Sequence, residues 1–418
     1  MAERIQAPRG TFDVLPEEAR GRRLLEEYAA EILEPAGYGR IETPAFEVTE
    51  LFARGVGEST DIVQKEMYTF EDGGGRSLTL RPEGTAPICR AYVEHGMHKL
   101  PQPVKLWYLS SFFRYERAQA GRYRQFWQIG AEAIGSDDPS VDAELITLLA
   151  SLLGAVEVKG VRLRLASLGS PAGRAAYREE LQAYLRANEE QLSDEVRSRI
   201  DLNPLRAFDA DHPGTRAVME RAPRLLDSLG DGDAEHFAAV RAMLDAAGVA
   251  YEVDPSLVRG LDYYTRTVFE FTSDALGAQS GVGGGGRYDG LVEQLGGPPT
   301  PGCGWAAGVE RIRLAAAAPP TAPPPVELFV ALAEPDARPL AFGVAAEARR
   351  ARLATQQELA GRSLKGQLKQ ADRLRARYVA VVSADGQTTL RDHAAGTEEE
   401  LPADQVVVRI LRERGRGL

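Results

Sequence analysis

The chain has 418 residues, 44% hydrophobic and 27% charged, a composition that excludes a disordered or fibrous protein. Its 61 acidic and 50 basic residues leave a net charge of −11, so binding of nucleic acid by bulk basic charge is excluded and only a local basic face remains open. Cys89 and Cys303 are too few for a disulfide framework or a four-cysteine zinc site. With no apolar leader and no apolar run long enough to span a bilayer, an intracellular, cytoplasmic protein is expected. At about 150 residues per domain the length suggests two or three domains.

The first periodic segment is 17–34, where Leu24, Leu25, Tyr28, Ala29 and Leu33 share one face of an amphipathic helix. Met67–Phe70 and Ser77–Leu80 flank a loop with three glycines, a hairpin signal. Val104–Tyr115 and Arg122–Gly135 are two long aromatic-rich strands joined by a polar loop. Residues 170–250 lack strand signals and read as a helical insertion. Strand character returns at Tyr263–Thr272, followed by a glycine run and a small-residue helix near 303–314. A Pro/Ala linker follows. Beyond it, strands at Leu328–Leu332, Tyr378–Ser383 and Val406–Leu411 alternate with helices at 339–353 and 363–376. The expected fold class is α+β: an antiparallel sheet domain with a helical insertion, then a small C-terminal α/β domain. The expected boundaries are 1–169 and 251–318 for the two parts of the sheet domain, 170–250 for the insertion, 319–326 for the linker and 327–418 for the last domain.

Four segments could carry chemistry. Leu80-Arg81-Pro82-Glu83-Gly84-Thr85 closes a strand and opens a helix, where a carboxylate and a hydroxyl could hold an ammonium group or Thr85 could simply cap the helix. On the two long strands, the period-2 rule puts Phe126, Gln128, Gly130 and Glu132 on one face, with Trp127, Ile129, Ala131 and Ala133 on the other. Arg114 and Glu116 share a face of the partner strand, and polar groups there are costly unless they meet a ligand or each other. Leu257-Val258-Arg259-Gly260-Leu261-Asp262-Tyr263-Tyr264 leads dense donors into a strand. Gly283–Gly286 followed by Arg287-Tyr288-Asp289 permits close backbone approach to a ligand, or a flexible link. The five histidines show no zinc spacing, no protein-held metal is expected, and no nucleophile elbow is present. Only six of the basic residues are lysine, so a single arginine means little without its neighbours.

Taken together, these segments resemble the bacterial-type histidyl-tRNA synthetases, a family of class II aminoacyl-tRNA synthetases. Ala7-Pro8-Arg9-Gly10-Thr11 resembles the family's opening, Glu42-Thr43-Pro44 the end of motif 1, Phe113–Arg117 with Gly121–Phe126 motif 2, and Gly304–Arg311 motif 3. Leu257–Tyr264 resembles a signature peculiar to histidyl enzymes, and Asn203-Pro204-Leu205-Arg206 also matches. The resemblance implies a class II sheet domain, a C-terminal anticodon-binding domain, a homodimer and no membrane. It implies histidine–tRNA ligase activity, with L-histidine, ATP, Mg²⁺ and tRNA(His) as substrates and partners. It assigns Glu83 and Thr85, with Gln128 beside them, to the amino acid's ammonium, Glu132 and Tyr264 to the imidazole, and Gly84 and Tyr263 to the histidine site in general. Arg259 and Arg114 would be catalytic, contacting the carboxylate and α-phosphate. Arg114, Glu116, Arg122, Phe126 and Arg311 would bind ATP. Arg117 and Gln119 of the motif 2 loop, with Lys365, Lys369 and Arg373 at four-residue spacing, would meet tRNA. The alternative is a synthetase-like, non-catalytic regulatory subunit of ATP phosphoribosyltransferase. That paralogue lacks the C-terminal domain and often the catalytic arginines.

Overall fold

The structure is a computed structural model that describes residues 4–57, 60–117, 119, 121–258, 261–317 and 326–414. The chain separates into two compact units at Pro319–Pro320, inside the expected linker, most of which lies outside the described residues.

The first unit is built on eight strands, and a small sheet stands beside them. In chain order the strands are β1 (Gly39–Arg40), β2 (Phe46–Val48), β3 (Thr69–Glu71), β4 (Ser77–Leu80), β5 (Val104–Phe113), β6 (Gln125–Ile134), β7 (Val161–Ser167), β8 (Glu252–Val253), β9 (Thr265–Ser273), β10 (Gly281–Arg287) and β11 (Gly302–Gly308). The large sheet runs β1-β5-β6-β11-β10-β9-β7-β8, antiparallel except at its two edge pairs, and β2-β4-β3 form the small one. Alternation along β6 sends Ile129, Ala131 and Ala133 into a core shared with Trp107, Trp305, Phe269 and Phe271. Helices Pro16–Leu33, Pro139–Ala155 and Asp231–Ala246 cover that face through Leu33, Leu149 and Val240. The opposite face receives Tyr108, Phe112, Tyr263, Tyr264 and Tyr288, with helices Thr85–Glu94 and Pro171–Ala187 packed around them. The helical stretch 170–250 therefore has two packing partners: its first part joins the tyrosine face, while Asp231–Ala246 lies against Pro139–Ala155 on the other.

Two segments of this unit differ from expectation. The small-residue run near 303 is strand β11 before it becomes helix Val309–Ala315. Its period is 2, because Cys303, Trp305 and Ala307 are buried in the core while Gly302, Gly304 and Ala306 face the other way. The glycine run is likewise neither a link nor a loop but β10, in the middle of the sheet. Gly283, Gly285 and Gly286 are steric requirements: a Cβ on Gly285 would stand 1.9 Å from the Gly304 carbonyl oxygen.

The second unit has β12 (Leu328–Leu332), β13 (Thr355–Gln357), β14 (Tyr378–Val382), β15 (Gln387–Asp392) and β16 (Thr397–Pro402), in the order β13-β12-β14-β15-β16. The first three are parallel and the rest antiparallel. β12 and β14 are buried on both faces, as a parallel centre requires. Helix Arg338–Arg350 covers one face and Leu364–Arg373 the other. The segment expected as a last strand, Val406–Leu411, is instead helix Val406–Arg414. Val406, Val407 and Ile410 bury one helical stripe, and Arg409 pairs with Glu413 one turn on, a contact that only a helix allows.

The glycines of the two units make opposite predictions. Gly285→Ala should lower the stability of the first unit by about 2–4 kcal/mol, since backbone must move. Gly343→Ala, in a helix with nothing within 4 Å of the added carbon, should be neutral or stabilise by up to about 1 kcal/mol. Thermal unfolding of the two variants checks both signs.

Candidate active site

On the tyrosine face of the large sheet lies a cleft of about 370 Å³. It is lined by Glu83, Gly84, Thr85, Arg114, Glu116, Arg122, Phe126, Gln128, Tyr263, Tyr264 and Arg311. Segments distant in sequence thus converge on one cleft. Glu132 lies behind the wall, 1% exposed, and joins the site through Thr85.

One end of the cleft is acidic. The strand end at Leu80 passes through Arg81, whose guanidinium donates to the carbonyls of Ser111 (2.8 Å) and Thr43 (2.6 Å) and so fixes the turn. Glu83 then accepts from the backbone N–H of Thr85 at 2.8 Å and of Ala86 at 3.0 Å, capping helix Thr85–Glu94 with a carboxylate. Gly84, rather than Thr85, occupies the N-cap position. The Thr85 hydroxyl is free to donate to Glu132 Oε1 at 2.8 Å, and the Tyr288 hydroxyl donates to Glu132 Oε2 at 2.6 Å. Burial nevertheless lifts the Glu132 carboxyl to about 8, and burial also raises Glu83. Space for Glu132 comes from register: Gly304 is its neighbour on β11, where a Cβ would sit 1.7 Å from Glu132 Oε2. Tyr108 passes between Gly84 and Gly130 in the same way. The Tyr108 hydroxyl and Gln128 Oε1 are buried with no hydrogen-bond partner among the described residues, so both are available to a polar ligand.

The other end is basic. Arg114 donates from Nε to the Pro82 carbonyl at 2.8 Å and lies over the Phe126 ring at 5.4 Å. Arg311, from the first turn after β11, donates to the carbonyls of Gly121 (3.1 Å) and Gly281 (2.6 Å). Burial lowers the Arg311 guanidinium's pKa, and the nearby charge of Arg122 adds to this. Glu116 stands between Arg114 and Arg122 at 3.8 and 3.6 Å. Phe126 supplies a flat apolar surface beside three guanidiniums, a pairing suited to a heterocyclic base carrying phosphates.

The family model described as Histidyl-tRNA synthetase matches residues 10–312. The chain belongs to the histidyl-tRNA synthetase family. A protein of Desulfitobacterium hafniense named histidine–tRNA ligase is 46% identical over 98% of this chain and 99% of its own. One of Moorella thermoacetica with the same name is 47% identical over 98% and 99%. The apo crystal structure of the Staphylococcus aureus histidyl-tRNA synthetase aligns at a TM-score of 0.80 and 35% identity, covering 97% of this chain and all of that one. A Bacillus halodurans structure titled as an ATP phosphoribosyltransferase regulatory subunit/histidyl-tRNA synthetase shares the fold, with a TM-score of 0.66 at 23% identity. Full-length similarity to ligases thus favours the catalytic reading over the regulatory alternative.

Within this synthetase fold, Arg259 lies outside the described residues. Gln119 is paired to Arg122 across the motif 2 turn, and neither it nor Arg117 lines the cleft. Lys365, Lys369 and Arg373 are exposed on helix Leu364–Arg373 of the second unit. Two residues without an assigned role from sequence also enter the site. Tyr288 reaches Glu132, and its signal was the Arg-Tyr-Asp triplet closing the glycine run. Tyr108 was detectable as the residue two before Ser110 on the cleft face of β5. Arg287, by contrast, is structural: fully buried, it pairs with Asp142 at 2.6 Å and donates to the carbonyls of Ser136 and Asp138.

The Glu132 environment sets a pH dependence. Its folded value, about 8, lies above the ordinary 4.5, so its contribution to stability is complete below pH 4.5 and is lost as pH rises through about 8. Glu132→Gln removes that loss. Its melting temperature relative to wild type should therefore increase between pH 5.5 and pH 9, by several degrees, in calorimetric scans of the ligand-free protein. A constant difference across that range would contradict the buried-carboxylate account.

Proposed function

We propose that this chain is a histidine–tRNA ligase that joins L-histidine to ATP as histidyl-adenylate, releases pyrophosphate, and passes histidine to the 3′ end of tRNA(His). The observation that carries this reading is one cleft with two chemistries: hydroxyl-bound buried carboxylates at one end and guanidiniums beside an aromatic ring at the other. Glu83, Thr85 and Gln128 take the ammonium. Glu132 and Tyr264 take the imidazole, whose ring carries one donor and one acceptor when neutral, and Tyr263 lines the same histidine site. A pocket built from buried polar groups rejects an amino acid lacking the ring N–H by roughly 10⁴-fold, because its own groups are then unpaired.

The reaction brings two anions together. A carboxylate about 4 Å from a phosphate is repelled by roughly 4 kcal/mol at an effective dielectric of 20. Arg114 and Arg311 are held by backbone carbonyls before any substrate arrives, so they cancel that repulsion without reorganising. A histidine carboxylate oxygen attacks the α-phosphorus, the bond to the β-phosphate's bridging oxygen breaks, and the electron pair leaves with pyrophosphate. The terminal ribose hydroxyl of tRNA then attacks the acyl carbon and AMP departs. Arg259 belongs to the first step, at the carboxylate and α-phosphate.

Mg²⁺ fits this end of the cleft: Glu116 and Glu270 both line it and offer the oxygen donors a hard cation takes. When bound, Mg²⁺ supplies further charge neutralisation of the phosphates. Homodimerisation is supported by the apolar surface beside Thr43–Pro44, where Phe46, Val48 and Phe70 are 43–52% exposed. Among the described residues no helix is long and apolar enough to cross a membrane, and a cytoplasmic location follows from the tRNA substrate. The exposed stripe Lys365, Lys369 and Arg373 meets the anticodon end.

Pyrophosphate exchange with each standard amino acid tests the reading directly: only histidine should support it, and exchange with another amino acid, or with none, refutes it. Arg114→Ala should cut histidine-dependent exchange by about 10²–10³-fold while the protein remains folded by circular dichroism. Reversing Lys365 and Lys369 to glutamate should weaken tRNA aminoacylation and leave exchange unchanged.

A further inference from the structure

Where β11 ends, β6 loses a neighbour. The ladder between them stops at the pair Gln128–Gly308, and the chain turns at once into helix Val309–Ala315. One residue back along β6, the Trp127 backbone N–H would be left unpaired, a costly state for a part-buried group. Glu310 takes it instead: its Oε2 accepts from that N–H at 3.0 Å, so a side chain continues the ladder by one step. Trp127 lies between Phe126 and Gln128, and Glu310 precedes Arg311; all but Trp127 are walls of the substrate cleft. One carboxylate thus ties the strand that carries the aromatic platform to the helical turn that carries a guanidinium.

Arg22 holds that carboxylate from outside the cleft. It lies on helix Pro16–Leu33 and donates from a terminal nitrogen to Glu310 Oε1 at 3.2 Å, while its guanidinium stacks over the Trp127 ring at 3.8 Å. It therefore touches both members of the link. The two charged side chains are only 12% and 8% exposed. Burial raises the Glu310 carboxyl, and the Trp127 N–H and Arg22 oppose that rise; burial lowers the Arg22 guanidinium, and Glu310 opposes that fall. Arg313 and Glu18, 3.6 Å apart, are the other charges packed here. Arg22 Nε is buried with no hydrogen-bond partner among the described residues. Seating a helix on a sheet does not need this arrangement, since an apolar side chain does it without desolvating two charges. Leu25, Ala29 and Leu33 of the same helix already do so. An ion pair kept at this one place serves placement rather than adhesion.

We propose that Arg22 is a positioning residue for ATP: through Glu310 it sets the spacing between Phe126 and Arg311, and so between the surface for the base and the charge for the phosphates, while touching neither. The ligand rests on the proposed ligase reading; the link itself rests on the Arg22–Glu310–Trp127 geometry. Without Arg22, Glu310 loses the cation bonded to it and either turns to solvent or takes up a proton. Its hold on the Trp127 N–H weakens, and helix Val309–Ala315 is free to shift. In a pre-organised site a misplacement of about 1 Å costs up to about a hundredfold. The histidine end is spared, because Gln128 and Glu132 keep their strand pairing to β5 and β11 on both sides.

Arg22→Met keeps the length and the apolar stem and removes the charge. Titration calorimetry of ATP onto the ligand-free, full-length protein should show a Kd raised roughly tenfold. In pyrophosphate exchange the KM for ATP should rise with it, while kcat and the KM for histidine stay within about twofold, the pattern of binding lost equally from ground and transition states. Arg22→Lys returns the charge without the fork and should recover most of the affinity. A melting temperature that falls while the Kd and KM for ATP hold their wild-type values makes Arg22 a helix staple and overturns the proposal, as does an equal rise in both substrate KM values. If Arg22→Met does not fold, the double variant Arg22→Met/Glu310→Gln leaves no buried charge unpaired and an acceptor still facing the Trp127 N–H. It should bind ATP about as weakly as Glu310→Gln alone, because both changes break one link; a further multiplicative loss, or wild-type affinity, overturns the proposal. Wild-type protein that binds ATP yet never exchanges pyrophosphate with histidine refutes the ligase reading and leaves the calorimetric result on Arg22 standing.

Discussion

The first unit is arranged around a carboxylate that has been taken out of water. Glu132 sits at the centre of an antiparallel sheet, and that position costs several kcal/mol unless the charge is solvated by something else. No cation among the described residues is bonded to it. Two hydroxyls, from Thr85 and Tyr288, do the solvating, and they do it incompletely, which is why the group titrates near 8. A half-satisfied carboxylate of this kind favours a ligand that brings an N–H donor.

That arrangement dictates sequence features which at first look like weak folding signals. Gly304 exists so that the Glu132 side chain has somewhere to be; Gly130 and Gly84 exist so that Tyr108 can pass. Glycine in a strand ordinarily weakens it through entropy and lost side-chain contact. Here the strands that carry most glycine, β10 and β11, are central, held by hydrogen bonds on both edges, so the weakness is tolerated where pairing is strongest. The buried Arg287–Asp142 pair, with Arg287 also bound to the carbonyls of Ser136 and Asp138, fixes the end of β10 next to Tyr288. A rigid strand end is what allows a tyrosine hydroxyl to be aimed at one carboxylate oxygen.

Much of this could be read without coordinates, because alternation is a local property. The division of β6 into a core face (Ile129, Ala131, Ala133) and a cleft face (Phe126, Gln128, Glu132) follows from period 2 alone. What failed was the identity of elements made of small or β-branched residues. Gly302–Gly308 has low strand propensity and became a strand because neighbouring strands and Glu132 needed the space. Val406–Leu411 has high strand propensity and became a helix because its buried residues fall on one stripe above β12 and β14. In both, tertiary packing overrode local preference. The convergence of Tyr288 on Glu132 was hidden for another reason: the two are 156 positions apart, and only the β6-β11-β10 order of the sheet makes them neighbours.

Arginine shows how physical setting restores meaning to a residue that composition had devalued. Forty-four arginines cannot all be functional, and the structure sorts them by what receives their charge. Arg81 and Arg287 are buried, with backbone carbonyls or a carboxylate receiving their N–H groups, and act as staples. Many others form exposed pairs along helices, such as Arg23 with Glu27 and Arg90 with Glu94, of small energetic weight. Arg114 and Arg311 are oriented by carbonyls, and the Glu116 carboxylate, 3.8 Å from Arg114, is shared with Arg122, so three guanidiniums in the cleft face fewer carboxylates than charges. Arg174 and Arg178 are likewise held by carbonyls, with no carboxylate at ion-pair distance among the described residues, one wall away from the same cleft. A guanidinium positioned by neutral groups carries its full charge into the cavity it faces, and in a chain this acidic such a residue is the informative exception.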